Sequence, residues 1–184
     1  MWVSKNRRPE EKGSFESEFV RYNLRSTQEK IALRAIELAS PRLGGRALDA
    51  GCGNGFGLKV LNDLGFVASG FDASKKMVSE AKKNGFRVKH GLFQKIPFKE
   101  KFGFVLSVSA LQWVSLPEMQ LVVKEFWRVM AKPSLASIQL YAKSEEELFE
   151  YAKAFRSVGF SVKVTQDNYE NAKKRKTYLV LKKE

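Results

Sequence analysis

The chain predicts an α/β fold, a doubly wound seven-stranded sheet whose last strand pair is antiparallel. Three observations predict it. From Arg46 onward, short apolar runs of strand length alternate with helical periodicity, the pattern that gives parallel strands with helices on both faces. After the first run, glycines stand at every second position (Gly51, Gly53, Gly55) and a helical pattern opens directly behind them. The last two apolar runs follow one another with no helix between them.

The elements read in order as follows. Residues 1–14 are polar, with Pro9 and Gly13, and predict a flexible basic arm ahead of one domain over 15–184. Phe15 to Ala39 is a helical lead-in, with Ile31, Ala35, Leu38 and Ala39 at amphipathic spacing and Ser26 or Thr27 as N-cap of its second part. Pro41 and Gly44-Gly45 end it. Strands are expected at 46–50, 67–71, 86–90, 102–108, 135–141, 160–165 and 176–181. Helices are expected near 55–64 and 74–84, from Pro117 to Met130, and from Ser144 to about Ser157, where Glu145 to Glu147 form an acidic first turn.

Composition narrows the chemistry. At 184 residues and 43% hydrophobic, the chain fits one globular domain. No run approaches the length of a membrane span and the N-terminus lacks an apolar leader core, so a cytoplasmic protein is expected. Cys52 is the only cysteine and His90 the only histidine. A disulfide within the chain and a cysteine-cluster metal site are both excluded. The net charge of +13 suits a domain that meets phosphates, although a solvated lysine-rich surface gives the same sum. Its ends are the most basic parts: Lys5, Arg7, Arg8 and Lys12, then Lys173 to Lys176, Lys182 and Lys183.

In a doubly wound sheet the ligand lies beyond the carboxyl ends of the strands. That rule selects Asp49, Gly51, Cys52, Gly53 and Gly55 after the first strand, Asp72 and Ala73 after the second, Gly91 to Gln94 (including Phe93) after the third, and Ser107 to Trp113 after the fourth. The N–H groups of the helix behind the glycines face whatever sits over the loop. Asp72, about 20 residues on, is placed to accept hydrogen bonds from a ribose diol. Asp49 is placed to hold an amino group, or simply to cap the loop. A dinucleotide fingerprint would need a third glycine where Phe56 stands, and that side chain would disturb close helix–strand packing. A tight turn that binds nothing is the bland alternative. In the fourth segment Gln112 carries both donors and acceptors and can read a base edge. Trp113 can stack on a base or pack in the core, and Ser109 lies beside them. Cys52 reads better as a small loop residue than as a nucleophile, and His90 better as structural than as a base.

The string Asp49-Ala50-Gly51-Cys52-Gly53-Asn54-Gly55 resembles motif I of the class I S-adenosylmethionine-dependent methyltransferases, whose Rossmann-like sheet matches the predicted one. Further segments resemble one family among them, the archaeal and eukaryotic small-subunit rRNA guanine-N7 methyltransferases. They are Gln94-Lys95-Ile96-Pro97-Phe98, Ser107-Val108-Ser109-Ala110-Leu111-Gln112-Trp113, Gln139-Leu140-Tyr141, Ala154 to Phe160 and Tyr169 to Leu181. The resemblance implies S-adenosyl-L-methionine as cofactor, held by Asp49, Gly51, Cys52, Gly53, Gly55, Asp72, Ala73, Phe93, Gln94 and Ser107. It implies small-subunit rRNA as substrate, met by Ser109, Gln112 and Trp113. Guanine N7 already exposes a lone pair, so transfer needs alignment more than a general base. The resemblance also implies a partner, a small zinc-binding activator protein at the edge formed by Phe86, Val88 and His90. Two departures stand out. Gly91 and Leu92 occupy the place of an acid near the adenine, which leaves that contact to backbone groups or Gln94. The chain also stops at Glu184 without the longer basic tail of eukaryotic members, which predicts an archaeal-like form. Two rivals fit the same residues: a methyltransferase of quinones or other metabolites, and a ribosome-assembly factor that binds RNA with dispensable catalysis.

Overall fold

The computed structural model describes residues 3–5, 27–171 and 174–184. Its strands are β1 (Val3–Lys5), β2 (Arg46–Ala50), β3 (Val67–Asp72), β4 (Val88–His90), β5 (Phe102–Val108), β6 (Met130–Leu140), β7 (Ser161–Asp167) and β8 (Lys176–Lys183). The helices are α1 (Thr27–Ala39), α2 (Phe56–Asp63), α3 (Lys75–Lys83), α4 (Met119–Val129) and α5 (Glu145–Ser157). The sheet order is β1-β7-β8-β6-β5-β2-β3-β4. β8 runs antiparallel to both neighbours and the other pairs are parallel. The seven expected strands are present. The short β1, inside the stretch expected as an arm, lies parallel to β7 at one edge. The rest of the arm and residues 15–26 of the lead-in lie outside the described residues.

Alternation along each strand builds a core on each face. Leu48, Val105, Ile138 and Leu179 point to one side, where α4 and α5 cover them with Val122, Phe126, Tyr151 and Phe155. Ala47, Phe104, Leu106 and Tyr178 point to the other, under Ile36 of α1, Leu58 of α2 and Val78 of α3. These side chains are almost wholly buried, and burying each Leu, Ile, Val or Phe among them stabilises the fold by about 1.5–3 kcal/mol. Phe126 is central to the first layer, stacked on Phe93 and edge-on to Phe155.

Three of the boundary differences from expectation have a clear local reason. β4 starts at Val88 because the Phe86 N–H still donates to Ala81 O, closing the end of α3. Pro117 opens a separate turn, Leu116–Glu118, where Ser115 and Glu118 cap one another, and α4 starts after it. β6 begins at Met130, directly behind α4, because Met130 pairs with Phe102 before the main β5–β6 register sets in. After β4 the chain crosses to the far side of β2 and enters β5. The loops behind β2 and β5 therefore diverge, and a crevice opens between them.

Candidate active site

Asp49 lies on the last turn of pleat in β2 and is only 2% exposed. Its carboxylate accepts the Leu58 N–H, and burial, with the nearby charge of Asp72, pushes its pKa up to about 7. Gly57 makes the fit possible: a Cβ there would stand 2.4 Å from Asp49 Oδ2. The close helix–strand approach expected of a third glycine thus belongs to Gly57. Phe56, expected to obstruct that packing, instead turns outward from the first position of α2, 40% exposed, and lines the cleft.

Asp72 ends β3 and ties two loops together. Gly53 N donates to its Oδ2 at 2.9 Å and Ser74 N to its Oδ1 at 2.8 Å. Each oxygen keeps a further lone-pair direction for a ligand hydroxyl. Gly51 and Cys52 both donate their N–H to Phe71 O. Gly51 has φ 76 and faces the β5 loop so closely that a Cβ would lie 2.4 Å from Ala110 Cβ; no other residue fits there without movement. Cys52 is buried, its Cβ 2.8 Å from where a Cβ on Gly70 would stand. Burial, then the charges of Asp49 and Asp72, push its thiol well above the ordinary range, which rules it out as a nucleophile at neutral pH.

Between these loops lies a cleft of about 380 Å³. Of the residues singled out by sequence, Asp49, Gly51, Cys52, Gly53 and Asp72 line it, and so do Ser109 and Trp113. The others do not. Ser107 is fully buried and its Oγ donates to Ala50 O at 2.8 Å, joining β5 to β2. Phe93 packs against Phe71 and Phe126. Gln94 donates to Glu118 at 2.8 Å. Ala73 O meets the His90 ring at 3.0 Å, and Gly55 sits under the Phe86 ring. Gln112 reaches the cleft only indirectly, through a bond from its Nε2 to Ser109 O at 2.9 Å. Sequence reasoning missed Gln28 and Ala32 of α1 and Met77 of α3, which complete the walls.

Ser109 is the strained point. Its φ is 53, in the left-handed region that a serine enters only when its surroundings hold it there. Gln139 of β6 does so. Its backbone O and its side-chain Oε1 accept the Ser109 N–H at 3.0 and 3.1 Å, and Oε1 also accepts from Ser109 Oγ at 2.7 Å. Gln139 is fully buried. The turn thus fixed throws Trp113 out to 85% exposure at the cleft rim, so the core-packing reading of Trp113 fails.

The donor set suits one cofactor class. Among the described residues no lysine or arginine lines the cleft, so a pyrophosphate would meet two carboxylates and no cation. A ligand with an ammonium and a ribose diol would meet complementary groups, and would supply the positive charge that buried Asp49 lacks. A family model described as a methyltransferase domain matches residues 48–137, which spans the glycine loop, Asp72 and the Ser109 turn. The chain carries a methyltransferase domain on a doubly wound Rossmann-like sheet. S-adenosyl-L-methionine is its cofactor. This methyltransferase is similar to a Dictyostelium discoideum protein named "Probable 18S rRNA (guanine-N(7))-methyltransferase", 28% identical with 84% of this chain and 59% of the relative covered. It is also similar to a Saccharomyces cerevisiae 18S rRNA guanine-N7 methyltransferase, 28% identical with 78% of this chain and 58% of the relative covered. The chain therefore spans a little under three fifths of the length of these relatives. The methyltransferase sheet superposes on magnesium protoporphyrin IX methyltransferase of Synechocystis with a TM-score of 0.69, at 16% identity, covering 85% of this chain and 83% of that one.

The basic C-terminus, read from the sequence as a stretch that could meet phosphates, is not uniformly free to do so. Lys183 is 4% exposed; its Nζ donates to Trp127 O and Met130 O and lies over the Trp127 ring. Burial, with Lys101 and Lys132 nearby, lowers its pKa. Arg175 donates to Tyr169 O and stacks on the Tyr169 ring. Lys174 and Lys182 remain exposed, Lys173 lies outside the described residues, and no helix among the described residues is long and apolar enough to cross a membrane.

Proposed function

We propose that this chain transfers a methyl group to N7 of a guanine in small-subunit rRNA. The observation that carries the reading is Trp113, a large aromatic ring held almost bare at the rim of the cofactor cleft by the Gln139–Ser109 clamp. A bare ring beside a reactive centre is a stacking platform for an unstacked base. The names of the two rRNA relatives support the same substrate. Bound S-adenosyl-L-methionine supplies an electrophilic methyl group. Asp49 would hold its ammonium and Asp72 its ribose hydroxyls, with Gly51 and Gly53 giving backbone access. Trp113 would orient the guanine so that the N7 lone pair faces the methyl carbon, and Gln112 and Ser109 would fix the loop that presents it. Alignment is the main task, since N7 needs no deprotonation. His90, bound to Ala73 O, stays structural in this scheme.

The same reading includes a protein partner, a small zinc-binding activator that adds a strand to β4. Val88 points into the core and Phe86 is half-buried, so the edge is less apolar than its sequence suggested. Arg87 is paired with Glu100 and Lys89 donates to Pro97 O. Recognition would therefore rest on the outward backbone groups of Val88 and His90. If the isolated chain is soluble and binds cofactor as well as a co-purified complex, the partner is dispensable.

Mapping N7-methylguanine in small-subunit rRNA with and without the protein tests the substrate. Loss of one such mark on depletion, restored by the wild-type chain but not by Asp72→Ala, is expected. An unchanged map refutes the assignment. Salt titration of substrate affinity separates the metabolite rival, because only RNA binding weakens steeply with salt.

A further inference from the structure

At the opposite pole of the sheet, a second and larger groove of about 700 Å³ opens at the N-terminal ends of β2, β5 and the main part of β6. Its floor is apolar, formed by Phe66, Pro133 and Leu135, and its rim carries Arg42, Arg46 and Lys182. Among the described residues no acidic residue lines it. Arg42 and Arg46 are exposed, and among the described residues neither has an acidic partner. Among the described residues Lys182 is paired only with the exposed Glu184.

Two exposed guanidiniums around an apolar floor match one chemistry well. Arginine forks bind phosphate oxygens in pairs, and sugars and bases rest on apolar surface. We infer that this groove binds the backbone of a single-stranded segment of the substrate RNA, as an anchor separate from the methylation cleft. β2 is five residues long, so the two ends of the sheet stand about 17 Å apart. One folded RNA can reach both. The inference rests on the RNA reading above and assigns a surface that the reading does not use.

The test compares wild type, Arg42→Ala/Arg46→Ala and Arg42→Lys/Arg46→Lys, using a short labelled guanine-containing single-stranded RNA. Both positions are solvent-exposed, so the fold should survive, and unchanged cofactor affinity verifies it. Losing two phosphate contacts should lower the slope of log affinity against log salt by about 1.4. Between 50 and 200 mM salt, wild-type affinity should therefore fall about sevenfold more than that of the alanine variant. The lysine variant should keep the wild-type slope. An alanine variant with wild-type slope and affinity overturns the groove while leaving the RNA substrate standing. A wild-type chain with no salt-dependent RNA binding overturns both.

Discussion

The buried carboxylate of Asp49 sets up a measurable conflict between folding and binding. In the unfolded chain the group titrates near 3.8, and in the fold near 7. A raised acid pKa means that the folded chain holds more protons than the unfolded chain between these values, so its stability falls as pH rises through that window. At 1.36 kcal/mol per pKa unit, the ionised form costs roughly 4 kcal/mol above pH 7, the smaller part of it already present at pH 5. Asp49→Asn removes the titration and still offers an acceptor to the Leu58 N–H. Its stability relative to wild type should therefore rise by about 3 kcal/mol between pH 5 and pH 8. For a chain of this size that is a gap in melting temperature widening by about 6–12 °C. Urea or thermal unfolding of the cofactor-free proteins at both pH values measures it. Parallel stability curves for the two proteins would refute the argument. The same variant should lose cofactor affinity, so the residue that weakens the empty fold is the one that binding requires.

Four further outcomes follow from the same geometry. Cofactor affinity of the wild-type chain should weaken up to tenfold per pH unit below about 7 and level off above it, because the ligand's cation needs Asp49 ionised; calorimetry in buffers of different ionisation enthalpy should show about one proton released well below pH 7 and none well above it. Gly57→Ala, which in an exposed helix would stabilise by about 0.5–1 kcal/mol, should instead destabilise by about 1–3 kcal/mol, since its Cβ meets Asp49 Oδ2 at 2.4 Å; a melt that moves upward would show that the contact relaxes freely. Trp113→Ala should leave stability within about 0.5 kcal/mol while weakening RNA substrate binding roughly 5–150-fold, the range of one lost base stack; equal KM values in steady-state methylation would remove Trp113 from the site. Gln139→Ala should spare cofactor affinity and lower methyl transfer at least tenfold, with Gln139→Glu retaining activity because it keeps an acceptor for Ser109; a fall in cofactor affinity matching the fall in rate would assign Gln139 a general structural role.

The sheet was legible because strands such as β2 and β5 bury both faces and read as continuous apolar runs. Asp49 and Asp72 were legible for a related reason: an acid at the tip of such a run has few structural uses. Direction was harder. The side chain of Phe56 leaves the first helical position away from the sheet, and spacing alone does not reveal that turn. Ser107 looked like a ligand residue by position, but the pleat aims its hydroxyl at Ala50 O. Gln139 lies 30 residues from Ser109, and only the β5–β6 register, which sets Val108 opposite Gln139, brings them together. Its one local signal was an amide set between Ile138 and Leu140, where an apolar side chain would be expected. Lys183 was counted in the basic C-terminal stretch because charge is read along the sequence, which does not show that Trp127 and two carbonyls enclose it.

Cys52 gives the molecule a built-in chemical clock. It is the one thiol of the chain, wedged against Gly70 between the glycine loop and β3. Although it borders the cleft, it is 6% exposed, so a soluble disulfide reagent reacts with it fastest when that loop lifts from the sheet. The labelling rate therefore counts excursions of the cofactor loop itself, and a ligand that closes over the loop slows the clock in proportion to its affinity.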